Sequence, residues 1–173
     1  WGPQTITWDA GGAAGDWTDG ANWDVPIPGG PANIDAAVLP TGLGDYPVLA
    51  GAQTVGNLTI NGTAFLDING QNFTVSNTFT STGTLLAEGA ETVNLGLGVG
   101  VAVPGTVQYN GTGTTGLSLG ADYTTLVFSG GSYTLNAAIN VGNGLSLTGG
   151  ATLADGGQTV TVDTPGLPLQ ADG

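Results

Sequence analysis

The charged side chains of this 173-residue chain are all carboxylates: thirteen Asp and Glu, with no Lys, Arg, His or Cys. Two positioned carboxylates suffice for glycoside hydrolysis, so that chemistry is formally open. Serine and cysteine hydrolases need a His or Lys base, which this chain lacks. Carboxylate enzymes usually also hold their substrate with basic and polar groups. We therefore expect no enzymatic activity.

Three carboxylates, those of Asp16, Asp19 and Asp24, lie around a glycine in one short stretch. Zinc, copper and iron–sulfur sites rely on His or Cys, whereas Ca²⁺ takes oxygen ligands. Hard cations such as Ca²⁺ are thus the metal ions that the residue types allow, with these three residues as candidate calcium ligands. The alternative, which we favour, is an Asp-rich turn whose carboxylates accept hydrogen bonds from nearby backbone N–H groups.

The formal net charge of -13 narrows the range of partners. A chain without cations repels nucleic acids and anionic membrane surfaces. No run of about 18 apolar residues is present, so we expect no membrane insertion. Contact with a second copy of the chain must come from apolar burial and strand pairing, because no ion pair can form between copies.

The texture of the sequence changes near residue 50. Residues 1–50 contain all four Trp, whereas residues 51–173 consist of short alternations of apolar and small polar residues separated by Asn-Gly, Gly-Gly and Ser-Gly pairs. This alternation predicts strands and tight turns, with no long helix. We therefore divide the chain into an N-terminal segment, 1–50, and a β-rich body, 51–173.

An internal repeat indicates how the strands are organised. Residues 58–75 align without a gap on residues 145–162, and both copies read as strand, turn, strand, turn, strand. Units that cannot bury their apolar face alone must stack on neighbours, which favours an all-β fold of the β-solenoid type. An antiparallel β-sandwich is the alternative, since it is also built from short strands with frequent turns.

Several segments resemble secreted bacterial surface proteins of the adhesin-like and autotransporter-passenger-like β-solenoid group. They include Ile6-Thr7-Trp8, Gly15-Asp16-Trp17, Ala21-Asn22-Trp23, and the later stretches 105–111 and 126–130. The resemblance implies an extracellular or cell-surface location. The absence of Met and the first residue, Trp1, suggest a processed or excised segment.

The tryptophan cluster has two interpretations. Flat aromatic faces could stack on sugar rings, which would suit a glycan-binding module. The alternative, which we favour, is a plug for the open end of the solenoid. The stretch 1–8 is extended by Pro3 and places apolar residues at alternate positions, so Trp1, Ile6 and Trp8 are candidates for a strand donated to a neighbouring copy.

The stretch 93–103 carries aliphatic residues at every odd position and Asn, Gly or Ala at every even one. Such alternation predicts a strand with a continuous apolar ridge on one face and nearly bare backbone on the other, open to close approach by a second chain. An interior strand pair is the other interpretation. The candidate assembly residues are Val93, Leu95, Leu97, Val99, Val101 and Val103.

Four asparagines, Asn57, Asn61, Asn72 and Asn110, satisfy the N-glycosylation pattern, although chance matches are expected in a chain rich in Asn and Thr. From the whole sequence we expect a structural, self-assembling subunit of an extracellular or cell-surface fibre or coat. The alternative is a carbohydrate-binding adhesin module, which would stay monomeric and bind glycans.

Overall fold

A computed structural model of the chain describes residues 2–111 and 122–163. Strands make up 47% of the structure and helix 2%, and the strands wind into a parallel β-solenoid of about six turns. Every strand pair in the described residues is parallel. The predicted all-β solenoid is confirmed, and the antiparallel sandwich is wrong.

Thirteen strands are present in the described residues. They are β1 (Thr5–Thr7), β2 (Ala36–Leu39), β3 (Gln53–Ile60), β4 (Phe65–Asp67), β5 (Phe73–Ser81), β6 (Thr84–Ala87), β7 (Val93–Asn94), β8 (Val103–Tyr109), β9 (Asp122–Ser129), β10 (Ser132–Thr134), β11 (Ile139–Thr148), β12 (Thr152–Ala154) and β13 (Val160–Val162). A single 3₁₀-helix covers Gly20–Asn22.

The strands form three parallel sheets. Five strands lie in the order β1-β2-β3-β5-β7, six in the order β13-β11-β9-β8-β6-β4, and β10 pairs with β12. Since β1 and β2 pair in the same sheet as β3, part of the N-terminal segment 1–50 belongs to the same solenoid as the body.

The longer strands turn corners of the coil. In β8 the register to β9 shifts between Val103 and Thr106, at Gly105. Gly105 has a φ of 75°, and a Cβ there would lie 2.6 Å from the carbonyl oxygen of Gly83 in the coil below. Only glycine meets both requirements, so this residue allows β8 to pair with β9 on both sides of the register shift.

The core consists of inward side chains stacked coil upon coil. One column joins Ile6, Ala37, Leu58 and Phe79, all at most 4% exposed. A second column joins Leu66, Leu85, Val107, Leu126 and Leu145, and successive members are 19 to 22 residues apart. The alternation seen in the sequence supplies these columns because every second side chain of a strand points to the same face.

The internal repeat is also found in the structure, with a rotation. Its first copy supplies part of β3, then β4 and the start of β5, and its second copy supplies part of β11, then β12 and β13. Leu145 aligns with Leu58 in sequence, yet it stacks four coils above Leu66. The repeat therefore encodes a local strand–turn–strand unit and leaves open which face of the solenoid the unit occupies.

Candidate functional site

The tryptophans of the N-terminal segment form a buried plug. Trp8, Trp17 and Trp23 are at most 1% exposed. The rings of Trp8 and Trp23 meet edge to face at 5.1 Å between centroids, and those of Trp17 and Trp23 do so at 5.0 Å. Trp17 also contacts Phe73 of the solenoid core at 6.0 Å. These three rings are closed off from solvent and cannot stack on a sugar, whereas Trp1 lies outside the described residues.

The polar centre of the loop that carries this plug is Asn22, which is completely buried. Its Oδ1 accepts a hydrogen bond from Gly12 N–H at 2.8 Å. Its Nδ2 donates to the carbonyl oxygens of Ala13 and Asp16, at 2.6 and 2.9 Å. One amide side chain thus satisfies three backbone groups that the buried turn would otherwise leave unpaired.

The three candidate calcium ligands act in the structure as acceptors for other groups of the chain. Asp19 accepts from the N–H groups of Ala13 and Ala21, and these bonds hold its pKa below the usual range. Asp16 accepts from the backbone N–H and hydroxyl of Thr18. Asp24 accepts from the N–H of Thr7 at 2.7 Å. No group of three Asp, Glu, His or Cys close enough to hold a metal ion occurs among the described residues. Calcium binding stays a prediction, and an ion would compete with these donors.

The outer edge of β1 is closed by the chain itself. Residues 22–24 run antiparallel beside it, with Trp8 opposite Trp23. Asp9 N–H donates to Asn22 O, and Asp24 N–H donates to Thr7 O, both at 2.8 Å. Ile6 and Trp8 are completely buried in this arrangement. Residues 5–8 thus lie between two partners from their own chain, and donation of this strand to a neighbouring copy stays a prediction.

The stretch 93–103 also differs from its prediction. Strand structure is limited to β7 and the start of β8, and residues 95–102 form a loop. Gly96 and Gly100 have φ values of 67° and 74°, which turn the chain out of the strand direction. The predicted continuous ridge is therefore divided. Leu95 and Val103 are buried, Val93 and Leu97 are half-buried, and Val99 and Val101 are 108% and 52% exposed.

Two cavities flank the loop 95–102. One, of about 320 Å³, is lined by the loop together with Asp122. The other, of about 440 Å³, lies between Leu97, Val101 and Ala102 of the loop, Pro104 of β8, and residues 59–61 and 79–82 of the coils below. Among the residues that the structure describes, no charged side chain lines this second cavity, which we call the neutral cleft.

The last described coil is less well covered than those below it. Phe128 is completely buried, whereas Leu147, its register partner one coil further, is 46% exposed. Leu145, Leu153, Val160 and Val162 are half-buried. Within residues 2–111 and 122–163 no strand pairs with the outer edges of β12 and β13. We call this face the open end.

The four candidate glycosylation sites lie at the surface to different degrees. Asn72 and Asn110 are exposed, and Asn57 and Asn61 are half-buried. Asn72 Oδ1 accepts from Thr92 N–H at 2.8 Å, so this side chain has a structural role. Thr112, which completes the pattern after Asn110, lies outside the described residues. Modification of these sites stays a prediction.

Comparison of the chain with family models, curated proteins and solved structures finds no match. Among the described residues no helix is long and apolar enough to cross a bilayer.

Sequence reasoning missed two features of this region. Asn22 carries no signal of its own, because its three partners lie 6 to 10 residues away in a loop of irregular shape. The neutral cleft joins the loop 95–102 to residues from two earlier coils, so it exists only once the coils have stacked. The sequence did contain one signal for a loop, the glycines at 96 and 100, because glycine readily adopts positive φ.

Proposed function

We propose that the chain is a structural, self-assembling subunit of an extracellular or cell-surface fibre or coat. The observation that carries the proposal is the difference between the two ends of the solenoid. At the first coil the edge of β1 is paired on both sides and the Trp plug seals the core. At the open end, Leu147 and its neighbours remain partly exposed.

Such an arrangement suits directed association. An exposed strand edge can pair non-specifically with strands of other chains. Closing one edge of the solenoid prevents such pairing at that end. The open end offers partly exposed apolar side chains, and strand edges that no other described strand pairs with, for contact with another copy. The extracellular or cell-surface location is supported by the resemblance of segments such as Ile6-Thr7-Trp8 and Gly15-Asp16-Trp17 to adhesin-like solenoids.

The contacts of the carboxylates and the aromatic rings support a structural role rather than an enzymatic one. The carboxylates of Asp16, Asp19, Asp24 and Asp35 accept hydrogen bonds from groups of the chain itself. The buried aromatic rings pack against one another in the core. No observation favours the glycan-binding alternative, because the three described tryptophans are buried.

Sedimentation velocity and negative-stain microscopy of the full chain test the proposal. We expect polymers that grow as salt is raised, because salt screens the repulsion between subunits of charge -13. Leu147→Asp adds a charge to the open end and should shift the distribution from polymers toward smaller species. Ile34→Asp adds the same charge at a site of the same exposure, 46%, and should leave it unchanged. A chain that stays monomeric in high salt at high concentration, and that binds glycans on an array, would replace this proposal with the adhesin alternative.

A further inference from the structure

The loop 95–102 exposes aliphatic side chains that do not pack in the core. Val99 is fully exposed at its tip and Val101 is half exposed. A turn closed by the hydrogen bond from Val101 N–H to Gly98 O, 3.1 Å, presents them. Isolated exposed aliphatics are ordinary on protein surfaces. Here they stand beside a cleft of matching apolar character, which is not ordinary.

The neutral cleft has a wall and a floor. Leu97, Val101 and Pro104 form the wall, and Thr59, Ile60 and Thr80 form the floor. The hydroxyls of Thr59 and Thr80 hydrogen-bond each other at 3.0 Å, so part of the polarity of the floor is already satisfied. The cavity on the opposite side of the loop includes Asp122. Only one side of the loop is therefore free of charge.

We propose that the neutral cleft of one copy receives the Val99 tip of a second copy, and that the exchange is reciprocal. The inference rests on the proposed function and deepens it by naming one contact between subunits.

The net charge of the chain indicates where a second copy can bind. Each copy has a formal net charge of -13 and no cationic side chain, so two copies repel each other wherever their carboxylates face each other. A contact between copies is favoured where neither surface is charged and both are apolar, as at the tip and the cleft. The two features lie side by side on one surface, so a two-fold axis brings each tip to the other copy's cleft. The same patch then serves both subunits.

Disulfide trapping tests this contact, since the chain has no cysteine of its own. A tagged chain carrying Val99→Cys is mixed with an untagged chain carrying Thr80→Cys and oxidised at high salt. A disulfide requires Cα atoms within about 7 Å of each other, so it reports direct contact. We expect a mixed dimer on a non-reducing gel, several-fold more abundant than from the matched pair Val48→Cys and Thr80→Cys.

Sedimentation of the wild-type chain in the same buffer separates the ways in which the inference can fail. If the wild type associates but the two cysteine pairs cross-link equally, the tip-to-cleft contact is wrong and the proposed function stands. If the wild type stays monomeric and no mixed dimer forms, both are wrong. Val99→Ser adds a second check, because it should weaken association while the circular dichroism spectrum and Tm stay those of the wild type.

Discussion

Carboxylates in this chain find their partners in the backbone. Asp35 accepts from the N–H groups of Gln4 and Ala32, and Glu91 accepts from those of Glu88 and Gly89. The sequence predicts that Asp-rich turns bind local N–H groups, as Asp19 does. It could not predict donors such as Gln4, which lies 31 residues from its acceptor and reaches it only when β1 pairs with β2.

Two carboxylates should respond to pH in opposite directions. Burial, with a smaller effect of the nearby Glu91 charge, raises the pKa of Asp67. Its contribution to stability therefore increases as pH falls from neutral and is complete below the unfolded-state value of about 4. Backbone N–H groups of Ala13 and Ala21 lower the pKa of Asp19, so its contribution is lost only as pH falls below that value. Stability should thus hold or rise in mild acid.

Asp67→Asn should stabilise the chain at neutral pH. The variant removes the partly buried charge and keeps an oxygen that can accept from Asn69 N–H, now 2.8 Å from Asp67 Oδ1. Solvent screening limits the gain to well under 1 kcal/mol, a rise of about 1–2 °C in Tm. Thermal denaturation at pH 7 and pH 4.5 measures it, and the difference between variant and wild type should shrink at the lower pH. An equal Tm difference at both values would contradict the assignment to Asp67.

The N-terminal loop shows how far sequence reasoning reaches for one element. Four tryptophans near one end favoured a plug, because large aromatic residues can seal an exposed core. The shape of the loop depends on Asn22, whose contacts are set by the folded path of the chain. For the stretch 93–103, in contrast, the sequence-based prediction was wrong. Alternation predicted one strand, but glycine at 96 and 100 allows positive φ, and alternation alone does not distinguish the two conformations.

Asn22→Ala should destabilise the N-terminal loop more than any other single polar change there. The variant leaves Gly12 N–H and two carbonyl oxygens without their partner in a buried site. The expected loss is about 3 kcal/mol in the free energy of unfolding, measured by urea denaturation. Tryptophan fluorescence should shift to the red at the same time as Trp17 and Trp23 meet water. Asp19→Asn, at a half-buried position of the same loop, is the control and should cost less.

At the scale of the whole molecule, the sequence predicted the architecture because every coil uses the same local rules. Alternating aliphatics and turn glycines recur in each copy of the repeat, so strands and corners follow from short segments. Successive members of the column from Leu66 to Leu145 are 19 to 22 residues apart, whereas paired residues of β1 and β2 are 31 apart, and that variation decides which columns align. The face of the solenoid on which a given strand lies is therefore determined by the stacked coils together, and the sequence of one segment does not encode it.

The stacking of parallel coils also determines how the molecule should bear a mechanical load. Hydrogen bonds between coils run along the solenoid, so tension applied to the two ends opens one coil at a time. Each coil of about 20 residues releases about 70 Å of extended chain. In single-molecule pulling, we expect a series of steps of this size that begins at the open end, where Leu147 is already half exposed. The final step, from the coil held by the Trp plug, should be longer, because β1 and β2 are 31 residues apart. Rupture of the whole chain in one event would show that the coils share the load instead, and a rod that yields stepwise would act as an extensible tether under force.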